Sequence, residues 1–259
     1  MAYWCAGMYA SGSTWTYNVM RAIARHAHPG ETLSSHFVND IGELAFLGRP
    51  GGPHVVKSHD LPADAAELLA RHARCIVVTQ RDPRDAVTSL MLYQRFPFNT
   101  ALQWVGRSAR FAAALAERPG TVMLRYEDGF VDDPATIDRL AAAMGGRLPP
   151  RLRDELFAQT RRASIERLIA ALPGKPDTRR TAGDDIMDSE TQWHGHHAGR
   201  SGEIGRWRHM LAPAQLAWVE QELGAWMEVV GYVRATGASS GYAGGLVGFD
   251  PFLAARRAR

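Results

Sequence analysis

Short, contiguous apolar runs alternate along this chain with longer stretches in which apolar residues recur every three or four positions. The runs lie at residues 2–7, 54–57, 75–80 and 121–125. Their length and content read as buried strands. Helical spacing marks residues 16–27, where Val19, Ile23 and Ala27 share a face, and also 63–72, 83–95, 100–117 and 134–144. Strands that alternate with helices in this way build a parallel sheet with crossover helices. Such a sheet binds ligands at the carboxyl ends of its strands, near a switch in strand order.

The pattern changes in the second half. Residues 148–172 are mainly helical, and residues 173–201 are polar and rich in Gly, Asp and His, which predicts a long, mobile loop. Residues 213–230 predict an amphipathic helix with Leu216, Val219, Leu223, Trp226 and Val230 on one stripe. The expectation is a single α/β domain over residues 1–234 with a helical lobe. Residues 235–259, with a Gly-rich stretch and Arg256-Arg257, read as an extension without a core of its own.

Composition narrows the partners. The apolar fraction of 46% is that of an ordinary globular protein, and no apolar run is long enough to span a bilayer. The first strand begins at once, without a basic leader and long apolar segment. Cys5 and Cys75, the only cysteines, both fall in apolar runs and suit reduced core thiols. These features predict a cytoplasmic protein with no membrane partner. The net charge is +3, mostly dispersed arginine, with no basic run interleaved with aromatics, so a nucleic-acid groove is not expected. Arginine suits bidentate contacts to a small polyanion.

The sharpest chemical signal is Gly7-Met8-Tyr9-Ala10-Ser11-Gly12-Ser13-Thr14-Trp15, between the first strand and the first helix. A Gly/Ser-rich turn there gathers backbone N–H groups at a helix N-terminus, a P-loop-like anion cradle to which Ser13 and Thr14 add hydroxyls. The G-x-x-x-x-G spacing is followed by Ser-Thr rather than Lys-Ser or Lys-Thr, so the lysine of an ATP-binding loop is missing. A tight glycine turn in an ordinary α/β protein remains the alternative.

Three further segments carry chemistry. Lys57-Ser58-His59 closes the second apolar run, and its two ionisable residues share a face. A histidine there can serve as a base near its ordinary pKa of about 6.5, beside a lysine that stabilises a charged oxygen. The same pair fits a surface lysine and a histidine bonded to its own turn. Arg81-Asp82-Pro83-Arg84-Asp85, with Ser89, follows the third run: Asp82 suits a helix N-cap, Pro83 the first helical position, and Asp85 the third residue of a capping box. Arg81 and Ser89 can clamp a second anion, or the segment is simply a well-capped helix. Arg200-Ser201-Gly202 opens a glycine-punctuated basic loop, either a linker or a lid over a phosphate.

Taken in order, these segments resemble the sulfotransferases that use 3′-phosphoadenosine 5′-phosphosulfate (PAPS). The family's loop is matched by Ser11 to Trp15, its Lys-x-His by Lys57 to His59, and its Arg-x-Pro-Arg-Asp…Ser by Arg81 to Ser89. Tyr126-Glu127-Asp128 matches a strand-end motif, and residues 200–207 match the late Gly-x-Trp loop. The resemblance implies that Ser11, Gly12, Ser13 and Thr14 hold the 5′-phosphosulfate and that Trp15 stacks on adenine. It implies that Arg81, Ser89, Arg200, Ser201 and Gly202 bind the 3′-phosphate end and that Tyr126 contacts the adenine. His59 would be the general base and Lys57 the charge stabiliser, with PAP (3′-phosphoadenosine 5′-phosphate) as product and no metal required. The acceptor would be a hydroxyl, or secondarily an amine, of a small molecule, held by the helical lobe.

Two residues depart from the family. Ala10 stands where the loop carries Lys or Arg, and Ser201 where the late loop carries lysine. Lys57, or Arg21 in the following helix, is the candidate replacement for the lost loop cation. The alternatives are a degenerate PAPS- or PAP-binding protein without transfer activity and a P-loop kinase. Trp104, Phe96, Phe98 and Trp193 either point to an aromatic or lipid-like acceptor or are ordinary core aromatics. His194, His196 and His197 lack a companion cysteine or a firmly spaced fourth ligand, so no metal site is expected and they are assigned to the acceptor pocket or to solvent.

Overall fold

A computed structural model describes residues 1–181, 185–198 and 202–235. Its centre is a five-stranded, fully parallel sheet in the order β2-β3-β1-β4-β5. The strands are β1 (Ala2–Gly7), β2 (Ser34–Phe37), β3 (His54–Ser58), β4 (Ala73–Gln80) and β5 (Val122–Arg125). After β1 the chain runs to one edge and returns through β3. It then crosses to β4 on the other side, so strand order switches about β1.

β1 shows why the sheet needs two covering layers. Ala2, Trp4 and Ala6 face one core and Tyr3 and Cys5 the other, the period-two alternation of a strand buried on both sides. The first core is closed by α2 (Ala63–His72), α3 (Pro83–Tyr93), α4 (Phe98–Ala116) and, after a short α8 (Trp207–Met210), by α9 (Pro213–Val229). The second is closed by α1 (Ser13–Ala27), α5 (Ala135–Ala143), α6 (Pro150–Thr160) and α7 (Arg162–Ala170). Each large side chain so buried contributes roughly 1.5–3 kcal/mol. The one polar atom of Trp4 is satisfied, its Nε1 donating to Ser58 Oγ at 2.9 Å. Cys5 and Cys75 are buried free thiols, and burial pushes Cys5 up to about 12 and Cys75 to about 11.

The structure departs from the sequence pattern in several places. β2 has the sequence Ser-Ser-His-Phe, half-buried throughout, with no apolar alternation to announce it. Residues 173–201 are not one long loop. They contain the antiparallel ribbon of β6 (Thr178–Arg180) and β7 (Ile186–Asp188) and a 3₁₀ turn at Gly195–Ala198. Strands of three residues are too short to show a period. On α9 the buried stripe is Val219, Leu223 and Met227 with Glu220, not Val230. Glu220 Oε1 accepts from Arg84 Nη1 at 2.8 Å, and Arg84 also pairs with Asp82 at 2.7 Å, joining α3 to α9 by a buried ion network. Among the described residues no helix is long and apolar enough to cross a membrane. Residue 235 apart, the expected extension lies outside the described residues.

A candidate anion and acceptor site at the strand ends

The turn after β1 returns tightly onto its neighbours, and glycine permits it. A Cβ on Gly7 would lie 2.4 Å from both Ser13 Cβ and Thr79 Oγ1. Gly12, at φ +82°, sits in the left-handed region and starts α1 at Ser13, three residues before the apolar spacing begins. Ala10 also has a left-handed φ of 59°, an uncommon state for a residue with a Cβ. Ser11 is fully buried and its Oγ is spent inside the protein, on Met8 O and Thr79 Oγ1, both at 2.6 Å. Its hydroxyl pins the loop to β4, while Ser13 and Thr14 stand at the helix N-terminus.

β3 supplies the cation. Lys57 is buried, and its Nζ donates to Thr14 Oγ1 at 2.6 Å. Burial lowers its pKa to about 8, so it carries its charge at neutral pH but gives it up sooner than an exposed lysine. Arg21, the other candidate replacement for the loop cation, is committed elsewhere: to Ser35 Oγ, Asn18 Oδ1 and the Glu190 carboxylate.

His59 lies just beyond β3. Its Nδ1 is 2.7 Å from the Gly7 carbonyl, which can only accept, so Nδ1 carries the proton and Nε2 is the basic nitrogen. Its ring stacks on Tyr9 at 4.2 Å and meets Phe37 edge-on at 5.8 Å. Burial, reinforced by the Lys57 ammonium, pushes the imidazole down to about 3, against the small upward pull of the Gly7 bond. The ordinary value of about 6.5 expected from sequence therefore does not hold.

The second clamp is assembled from β4, α3 and a late loop. Arg81 is buried and donates to Ala10 O at 3.1 Å and Glu203 O at 2.7 Å, and its guanidinium lies over Tyr126 at 4.5 Å. Asp82 caps α3 by accepting from the Arg84 N–H. The expected capping box is not formed by Asp85. Glu127 makes the reciprocal bond, accepting the Asp82 N–H at 2.8 Å. Asp85 instead accepts the Gly205 N–H at 2.6 Å and the Trp207 N–H at 3.1 Å, anchoring the late loop. Gly202 comes close to Tyr126, where a Cβ would fall 2.6 Å from the hydroxyl. Arg200 and Ser201 lie outside the described residues.

These groups line one cavity of about 620 Å³. Ser11 to Trp15, Lys57, His59, Arg81, Ser89, Tyr126 and Gly202, all expected from sequence, are on its wall. Trp15 is nevertheless mostly core: its indole N–H donates to Thr160 O at 3.1 Å and its ring meets Phe130 edge-on. Phe96, Trp104 and Trp193 also line the cavity, whereas Phe98 packs toward Trp218 and does not. Sequence reasoning missed Tyr9 beside His59, and Arg162 and Arg179 on the cavity wall. It also missed Asp185, which accepts from His194 and His196. Burial alone raises Asp185, but the two histidines outweigh it and hold the carboxyl below its usual range. Burial brings His194 down to about 4.

No protein-family model and no curated protein matches this sequence. Solved structures do. Over 88% of this chain and 84% of theirs, it superposes on mouse sulfotransferase SULT7A1 complexed with PAP, at a TM-score of 0.61 and 14% identity. Retinol dehydratase in complex with retinol and PAP gives a TM-score of 0.62 at 16% identity, covering 88% of this chain and 81% of that one. The same enzyme with androsterone and inactive cofactor PAP gives 0.58, also at 16% identity, covering 88% and 80%. The α/β architecture with its five parallel strands is thus the sulfotransferase fold.

Proposed function

We propose that this protein transfers a sulfuryl group from PAPS to a hydroxyl of a small molecule. The observation that carries the proposal is His59: the end of β3 holds it with Nδ1 on the Gly7 carbonyl and Nε2 left without a proton, on the wall of the cavity that the turn after β1 also lines. The donor set suits the nucleotide. A buried ammonium, a buried guanidinium and the hydroxyls of Ser13, Thr14 and Ser89 share that cavity, each a group that favours anionic oxygen. Ser11 to Thr14 and Lys57 would hold the 5′ end. Arg81, Ser89, Gly202 and the adjoining Arg200 and Ser201 would hold the 3′-phosphate, with Tyr126 at the base.

When bound, PAPS supplies an electrophilic sulfur whose leaving group is a phosphate. His59 Nε2 receives the proton of the acceptor hydroxyl as its oxygen bonds to sulfur. Lys57 stabilises the negative charge that grows on the departing oxygen, the role that a cation at residue 10 would otherwise fill. Tyr9 and Phe37 fix the imidazole plane, so the base is oriented before the acceptor arrives.

The test is transfer of labelled sulfuryl from PAPS to a panel of phenols and alcohols, with PAP affinity measured by calorimetry on the same preparations. His59→Ala should lower kcat by ~10²–10⁴ and leave PAP affinity nearly unchanged. A folded His59→Ala variant with full kcat would remove His59 as the base. PAP binding without transfer to any acceptor would favour a protein that holds the nucleotide and does no chemistry.

A further inference from the structure

We propose that Asp185, His194 and His196 bind a divalent transition-metal ion of the zinc class at the wall of this cavity. His194 Nδ1 and His196 Nδ1 each lie 2.8 Å from the same carboxylate oxygen, Asp185 Oδ2. The three ligand atoms fall within 4.8 Å of one another. Two imidazole nitrogens and one carboxylate oxygen are a donor set for zinc, cobalt, nickel or iron(II), whereas magnesium and calcium prefer all-oxygen sites.

The backbone holds the three residues together independently of the side chains. Residue 194 bridges to Met187 on β7, and the Asp188 N–H donates to Trp193 O at 2.9 Å. These two contacts fold residues 193–196 back alongside residue 185. The 3₁₀ turn adds a lock, because the His194 N–H donates to His197 Nδ1 at 3.1 Å. The His197 ring packs 4.9 Å from His194 and 4.6 Å from His196. Two imidazoles thus converge on one half-buried carboxylate oxygen, and a third packs against both of them.

Occupancy requires small changes. Metal–ligand bonds of about 2.0–2.2 Å in tetrahedral geometry put ligand atoms about 3.3–3.5 Å apart, so each 2.8 Å contact must widen by roughly half an ångström. In the metal-free hydrogen-bonded form the Nδ1 protons point at Asp185. Binding moves each proton from Nδ1 to Nε2 through water, so the carboxylate stays charged and no net proton is lost. His196 Nε2 is 3.4 Å from the Gln94 side-chain nitrogen, and rotation of that amide presents its oxygen to the new Nε2–H, an outer partner of the usual kind. Three protein ligands leave a fourth position, and both histidines line the cavity. That position can take water or an oxygen of the acceptor.

The experiment uses tag-free, full-length protein stripped with a chelator. Zinc should bind at one equivalent by elemental analysis, and cobalt should give the visible absorption of a tetrahedral N/O site. His194→Ala/His196→Ala, and separately Asp185→Asn, should weaken binding by more than about 100-fold, beyond the loss of an outer partner alone. Circular dichroism and PAP binding report whether each variant is folded, and because metal content is read without turnover, failure here leaves the transferase proposal standing. No stoichiometric zinc or cobalt in folded wild-type protein would overturn the site. Unchanged affinity in a folded variant of either kind would overturn this ligand assignment.

Discussion

Lys57 Nζ donates to Thr14 Oγ1 at 2.6 Å, so a side chain from β3 reaches into the candidate anion loop between β1 and α1. The loop has no cation of its own, since its usual position is Ala10. Lys57→Met should therefore lower kcat by ~10²–10³, the cost of losing one charge-stabilising donor. Ala10→Lys, at a position that already bears a Cβ, should restore part of that loss in the Lys57→Met background. Steady-state kinetics on the single and double variants decide this, and a Lys57→Met enzyme with normal kcat would refute the role.

The pH profile should carry the signature of both burial shifts. His59 must be neutral, and its free-enzyme pKa is held near 3, so kcat/KM should stay flat as pH falls through 6.5. Lys57 must be charged, and it deprotonates near pH 8, so kcat/KM should decline as pH rises past that point. Bound nucleotide is anionic and raises both values, which moves both limbs of kcat upward relative to those of kcat/KM. Lys57→Arg should abolish the alkaline limb. An acid limb at 6.5 that disappears in His59→Gln would show that the imidazole is not shifted.

His59 also links pH to stability. Its pKa is lower folded than unfolded, so the unfolded chain binds more protons between about 6.5 and 3. The contribution is complete above 6.5 and is lost as pH falls toward 3. Urea midpoints of wild type and His59→Gln should converge on acidification across that window. Parallel curves would show that His59 does not titrate there.

PAP should raise the melting temperature more than AMP at equal concentration. The reason is the Arg81 and Ser89 wall, which only a 3′-phosphate would use. A charge-assisted contact of this kind contributes roughly 1.5–3 kcal/mol. Ser89→Ala, which removes one hydroxyl from the wall, should narrow the difference between the two nucleotides. Equal shifts with wild-type protein would remove the 3′-phosphate assignment.

Trp15→Ala should cost ~3–5 kcal/mol of stability, because the ring is packed on Phe130 and its N–H is bonded to Thr160 O. Trp15→Phe keeps the ring and should lose less. Denaturant unfolding, with PAP affinity measured alongside, distinguishes core packing from an adenine platform. A fully stable Trp15→Ala variant with weakened nucleotide binding would make the ring a ligand contact first.

Much of the site was legible because chemistry and strand ends coincide. Lys57 and His59 follow an apolar run, and Asp82-Pro83 announces the start of α3. Partner choice was not legible. Asp85 matches a capping-box position, yet its carboxylate serves residues 205 and 207, and Glu127 takes the vacant role. Sequence spacing cannot register a competition decided by side chains more than forty residues apart. β2 and the β6–β7 ribbon escaped for a different reason: strands of three or four half-buried, polar residues carry no period. Asp185 was invisible because backbone contacts at Met187 and Asp188, which no sequence spacing announces, bring it to the histidines.

The Asp85 anchor also sets an order of assembly. All five strands of the main sheet are complete by Arg125, whereas the amides that Asp85 holds belong to Gly205 and Trp207, and Arg81 reaches Glu203. A nascent chain therefore exposes both halves of the clamp at different times, separated by the synthesis of four helices. Closing so long a loop is a non-local step that costs more chain entropy than pairing segments close in sequence. A fragment ending before residue 202 would retain every strand of the main sheet and the Ala10 carbonyl, yet lack the Glu203 carbonyl on Arg81 and both amides that Asp85 accepts, so this wall of the cavity is finished only by the last part of the chain.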